Sequence, residues 1–162
     1  MKEEVFLRGK KILLVDDEPD ILEILEELLP DCNVAKAATF EAAKELLENN
    51  DFDIAILDIM GVDGYTLLEI ANRNDVLGVM LTAHALSPEN IVKSFEGGAA
   101  SYLPKEEMDN IRVFLNDILE AKIKGKHLWW RWFERLDAYY EEKFGDDWKD
   151  GNKEFWEKFS IY

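Results

Sequence analysis

Five polar positions at the ends of apolar runs carry the chemistry this sequence offers. Asp16 and Asp17 follow Lys11-Ile-Leu-Leu-Val15, and Asp58 follows Ile54-Ala-Ile-Leu57. Thr82 follows Val79-Met-Leu81, and Lys105 comes just after Ser101-Tyr-Leu-Pro104. If each run is a strand of one parallel sheet, the carboxyl ends of the strands gather these groups, as open α/β sheets do generally. Three acids, a hydroxyl and a lysine in one place make a magnesium site beside a modifiable carboxylate, which points to phosphoryl chemistry on Asp58. Crowding Asp16 and Asp17 against Asp58 raises a carboxylate pKa unless a divalent cation neutralises the cluster. Magnesium suits such a cluster because it takes few carboxylates, keeps several waters and engages phosphate oxygens. Lys105 then supplies a point charge for phosphate oxygens the metal does not reach, and Thr82 a hydroxyl that can rotate towards them. Plainer roles stand beside these: a solvated acid or helix cap for Asp58, a cap at Pro19 for one of the early acids, an ordinary strand residue for Thr82.

The elements that must position these groups alternate between short β-rich runs and amphipathic segments, the signature of a parallel sheet covered on both faces. Strands are expected near 10–15, 32–36, 53–57, 76–81 and 100–103. The second, opening at Cys32, is the least apolar. A helix over 19–29 carries Ile21, Leu22, Leu25, Leu28 and Leu29 at helical spacing, and Pro30 closes it. Thr39 is placed to cap a helix over 40–48, ended by Asn49-Asn50. Further helices are expected over 65–73, from Ser87-Pro88 to Glu96 before Gly97-Gly98, and from about Glu106 onward. Five βα units of this length give an α/β, flavodoxin-like, doubly wound five-stranded parallel sheet of order 2-1-3-4-5.

Composition narrows the function classes. The chain has 162 residues and a net charge of −16. Residues 1–121 hold 10 basic and 26 acidic side chains, whereas 122–162 hold nine of each. That balance lacks the basic footprint of a nucleic-acid binder, so no direct nucleic-acid contact is expected. No apolar run approaches the about 18 to 20 residues of a membrane span, and Met1-Lys-Glu-Glu4 is too acidic to open a secretory signal. Cys32 is the single cysteine, which excludes an internal disulfide and suits a reducing, cytoplasmic setting; it is expected as a small core residue.

Taken together, Lys11-Ile-Leu-Leu-Val-Asp-Asp-Glu-Pro19, the strand ending in Asp58, Thr82-Ala83 and Tyr102-Leu-Pro-Lys105 resemble the receiver domain of two-component response regulators. The resemblance spans about residues 9–122. It implies that Asp58 accepts a phosphoryl group from a sensor histidine kinase or phosphotransfer protein, as an acyl phosphate. It implies Mg2+ held by Asp17, Asp58 and the backbone carbonyl of Met60, with Asp16 acting through water. It makes Tyr102 a switch aromatic that turns inward with Thr82 and alters the surface of the fourth helix, fifth strand and fifth helix. It places His84, two residues past Thr82, where receivers tune water access to the acyl phosphate; an unremarkable surface histidine is the alternative. Two departures stand out. Asp58-Ile-Met-Gly-Val-Asp-Gly64 is shorter than the usual loop and lacks its proline, so it must close tightly, which Gly61 permits. Receivers also usually follow the lysine with proline; here Glu106 follows, and a non-proline cis bond costs about 3 kcal/mol, so a trans bond is expected.

The division expected is a receiver over 1–122 and an aromatic-rich helical extension over 123–162, without a recognised output domain. The extension holds 12 of the 19 aromatics and all five tryptophans, Trp129, Trp130, Trp132, Trp148 and Trp156. Leu128, Trp132, Leu136, Tyr139 and Tyr140 recur at helical spacing, with Trp129, Phe133 and Phe144 alongside, predicting a helix over 126–144 stopped by Gly145. His127 reads as packing or surface. A short helix over 152–159 should carry Phe155, Trp156 and Phe159. The extension either buries its aromatics against the receiver or forms a docking or dimerisation surface; its mixed charge suits a membrane surface poorly. The functional expectation is a cytoplasmic response regulator, not an enzyme beyond its own phosphorylation and dephosphorylation, acting on an unknown downstream protein, with a homodimer open. Two alternatives remain beside it: a pseudo-receiver interaction module, and a magnesium-dependent phosphohydrolase with an aspartate nucleophile. The second usually has another Asp two residues on, where this chain has Met60.

Overall fold

A computed structural model describes residues 6–83, 88–129 and 131–159. His84, Ser87 and Trp130, and the side chains of Phe133 and Phe159, on which expectations were placed, lie outside the described set. Five strands, β1 (Lys11–Val15), β2 (Asn33–Ala37), β3 (Ile54–Asp58), β4 (Leu77–Thr82) and β5 (Ser101–Pro104), form one parallel sheet in the order β2-β1-β3-β4-β5. Burial matches the place of two strands, while β5, also wholly buried, lies at the other edge beneath the extension. All five residues of β3 are buried, so it takes the centre; β2, with one buried residue, takes an edge.

The helices are α1 (Pro19–Leu28), α2 (Phe40–Asn49), α3 (Gly64–Arg73), α4 (Pro88–Glu96) and α5 (Ile111–Lys124). Pro19 opens α1 at a position that needs no N–H, and Leu22 and Leu25 turn to the core. Thr39 caps α2 as expected, its hydroxyl accepting from the Ala42 N–H at 3.2 Å. The helix expected from Glu106 instead opens with a 3₁₀ segment, Lys105–Asn110, before α5. No peptide bond among the described residues is cis, so Lys105–Glu106 is trans as expected. Cys32 is half-buried just before β2, its thiol facing the Leu7 carbonyl at 3.3 Å; burial pushes that thiol up to about 11, away from reactivity.

The extension differs from the sequence expectation at its start. Gly125 takes a left-handed conformation (φ 69°) and caps α5, its N–H donating to the Ala121 carbonyl. Residues 126–129 are not helical, and α6 covers Trp132–Phe144 rather than 126–144. Gly145 ends α6 as expected. The short helix α7 (Lys153–Phe159) follows a 3₁₀ turn, Asp150–Asn152. Trp132, Leu136, Tyr140, Trp148 and Trp156 join the same buried cluster as the sheet residues. No helix among the described residues is long and apolar enough to cross a membrane.

Candidate functional site

Four of the five polar positions meet at the carboxyl edge of the sheet. Asp16 leaves the end of β1 fully buried. Its Oδ1 accepts the Glu18 N–H at 2.9 Å, an Asx-type turn that fixes its orientation. Its Oδ2 lies 2.7 Å from the Lys105 Nζ. That ammonium, with only 8% of the side chain exposed, also reaches Asp58 Oδ1 at 3.6 Å and Glu18 Oε1 at 3.4 Å. Asp58 is the last residue of β3, and its Oδ2 accepts the Gly61 N–H at 3.1 Å.

The short loop has a steric reason for its glycine. A Cβ on Gly61 would sit 2.4 Å from Asp17 Oδ1 and 2.4 Å from Asp58 Oδ2. The two carboxylate oxygens therefore lie no further apart than twice that distance, both beside Gly61. Hard carboxylate oxygens this close together fit a divalent cation. Asp16, Asp17 and Glu18 also place carboxylate oxygens within 4.8 Å of one another. Glu18 was not singled out in the sequence. The signal was the third acid of the Asp-Asp-Glu run: as the residue before α1 it makes no capping bond, which leaves its carboxylate for Lys105.

Electrostatics divide the group. Burial, opposed by Lys105, raises the pKa of Asp16; burial, then the charge of Asp16, raises that of Asp58. Burial alone would lower Lys105, but Asp16, Asp58 and Glu18 outweigh it and raise its pKa, so the ammonium stays charged. Thr82 ends β4, buried, on the rung opposite Pro104. Met60 lies two residues past Asp58 with its side chain 76% exposed. Tyr102 is not in the acid cluster. It is fully buried on β5 opposite Met80, beneath the extension, with its hydroxyl unpartnered.

Residues 12–116 match the response regulator receiver domain. The chain belongs to that family. Over 120 residues it is 37% identical to the two-component response regulator ARR18 of Arabidopsis thaliana, covering 68% of this chain and 19% of that protein. It is 32% identical over 148 residues to ARR2 of the same plant, covering 87% and 22%. This receiver chain thus spans about a fifth of the length of these curated relatives. Among solved structures it resembles a CheY-like receiver domain protein from Methanospirillum hungatei, with 31% identity and a TM-score of 0.65, covering 72% of this chain and 98% of that one.

The Gly61 geometry gives a first expected result. Gly61→Ala meets no left-handed backbone, and the nearest atoms to its methyl belong to the Asp17 and Asp58 side chains. Its methyl must displace Asp17 or Asp58, and Mg2+ affinity by titration calorimetry should fall by about tenfold or more, equal to about 1.4 kcal/mol. Unchanged affinity would place the cation elsewhere.

Proposed function

We propose that this receiver is a phosphorylation-dependent switch whose phosphoacceptor is Asp58. The observation that carries the reading is the buried Lys105 ammonium held between Asp16 and Asp58, while Asp17 and Asp58 bring carboxylate oxygens together beside Gly61. A carboxylate oxygen of Asp58 attacks phosphorus of a phosphohistidine; the P–N bond breaks and its electron pair leaves with the imidazole. Asp17, Asp58 and the Met60 carbonyl would hold Mg2+, with Asp16 acting through water, and the ion would offset the charge of the phosphoryl oxygens. Lys105 covers the oxygens on the other side, and Thr82 turns its hydroxyl to them. Tyr102 on β5 passes the change outward as the switch residue. The donor is a sensor histidine kinase or phosphotransfer protein, the recipient of the signal a downstream protein, and the setting cytoplasmic. The receiver unit ends near residue 122 and the remainder is an extension. The phosphohydrolase alternative lacks its second acid, since Met60 stands there.

Intact-protein mass after incubation with acetyl phosphate tests this. Wild type should gain one phosphoryl group with Mg2+ and none without it, and Asp58→Asn none at all. Released phosphate is followed in the same tube to detect rapid turnover. A wild type giving neither adduct nor released phosphate would leave an interaction module as the better description.

A further inference from the structure

The extension grips the segment that carries Lys105 on both sides of that residue. Before it, the Trp129 Nε1–H donates to the Ala99 carbonyl at 3.0 Å, and the Trp132 Nε1–H to the Tyr102 carbonyl at 2.7 Å. After it, Glu106 accepts the Tyr139 hydroxyl and pairs with Lys143 at 3.3 Å. The rings reinforce the grip. Phe95 of α4 lies 4.5 Å from Trp129 and 4.8 Å from Trp132, centroid to centroid, and Tyr140 lies 6.2 Å from Tyr102. Arg131 and Arg135 close the far side on Asp117 of α5. The face made by α4, β5 and α5 is thus occupied by the chain's own tail.

With the tail seated, Lys105 is fitted to an unmodified site: 2.7 Å from Asp16, but 3.6 Å from Asp58. A phosphoryl group on Asp58 adds negative charge on the far side of that ammonium and draws it from Asp16. Because Lys105 is buried and bracketed by gripped residues, that displacement loads the contacts at 102 and 106. We infer that the tail is a strap in negative linkage with the phosphorylation site: its docking opposes phosphoryl occupancy of Asp58, and occupancy loosens the strap. The inference rests on Asp58 being the phosphoacceptor. Reciprocity follows from thermodynamics, since a strap loosened by the phosphoryl group must itself weaken binding of that group.

The tryptophans make the strap observable, because all five lie between residues 129 and 156, so emission excited where only tryptophan absorbs reports the tail alone. Acetyl phosphate with Mg2+ should shift the wild-type emission to the red, in step with the adduct seen by intact mass, and leave Asp58→Asn unchanged. For the reverse direction, the full chain is titrated with beryllium fluoride and Mg2+, a stable stand-in for the phosphoryl group. Trp132→Phe, which keeps a ring but loses the indole donor, should lower the midpoint by about fivefold or more, the lower end of ordinary allosteric couplings. Lys143→Gln, a change at a partly exposed tail residue, should lower it less, in the same direction. Adduct formation with unchanged or blue-shifted emission, or midpoints equal to or above wild type, would overturn the strap while leaving Asp58 as phosphoacceptor. Absence of both adduct and released phosphate removes that assignment, and the strap with it.

Discussion

Trp132→Ala should lower the stability of this protein by about 3 to 5 kcal/mol, the usual cost of emptying a buried tryptophan site. At about 2 to 4 °C per kcal/mol for a chain of this size, the thermal midpoint falls by about 6 to 20 °C. Two losses coincide. The ring is 3% exposed, sits edge-on to Phe95 and stacks on Tyr140 at 5.7 Å, so its removal opens a cavity where α4, β5 and α6 meet. Its indole N–H also satisfies the Tyr102 carbonyl, which is left buried and unpaired. Two phenylalanine variants separate packing from hydrogen bonding. Trp132→Phe keeps most of the packing and should cost about 1 to 3 kcal/mol for the orphaned carbonyl. Trp148→Phe removes an indole N–H that is buried without a partner, so it should cost less than Trp132→Phe. Calorimetry on the three variants decides it; equal losses for the two phenylalanine variants would deny the Trp132–Tyr102 bond any weight.

That contact was also what the sequence concealed. The receiver elements were legible because their signals are local. Continuous apolar runs gave β1, β3 and β4, Pro19 and Thr39 marked helix starts, and polar residues closed each strand. The extension was legible as helical, and its start was not. Leu128 and Trp132 are spaced as on one helix face, so the pattern runs on to 126. What decides the geometry is non-local: the carbonyls of Ala99 and Tyr102 recruit two indoles, and Gly125 supplies the left-handed turn that lets the chain reach them. Glu18 was overlooked for a related reason. Its run of acids read as a pair plus a neighbour until Lys105, 87 residues away, turned the third acid towards the site. The placement of Tyr102 beneath Tyr140 likewise depends on where the tail lies, which periodicity does not encode.

Mg2+ should raise the thermal midpoint of the wild type at pH 7 far more than that of Asp58→Asn. At a free concentration about 100 times the dissociation constant, the ion adds about 2.7 kcal/mol. At about 2 to 4 °C per kcal/mol this is about 5 to 11 °C. The metal-free protein supplies the reason. Asp16 and Asp58 are both raised above the ordinary value of 3.8, first by burial. A carboxyl group whose folded pKa exceeds its unfolded one binds its proton more tightly when folded. Its contribution is therefore full below pH 3.8 and is lost as the pH climbs through the raised value. Asp31 has the opposite sign: the Arg112 guanidinium lowers its pKa, so its stabilisation is present above 3.8 and fades only in acid. Without metal, then, Asp58→Asn should match the wild type near pH 4 and exceed it towards pH 7, since the amide removes a buried charge. Added Mg2+ should reverse that ranking, because the variant has lost one of the two carboxylates that meet beside Gly61. Thermal melts at pH 4 and pH 7, with Mg2+ or with chelator, give all four comparisons. Equal Mg2+ shifts in the two proteins would move the cation away from Asp58, and a variant less stable than wild type at pH 7 without metal would mean that the buried carboxylate is held by contacts stronger than its burial.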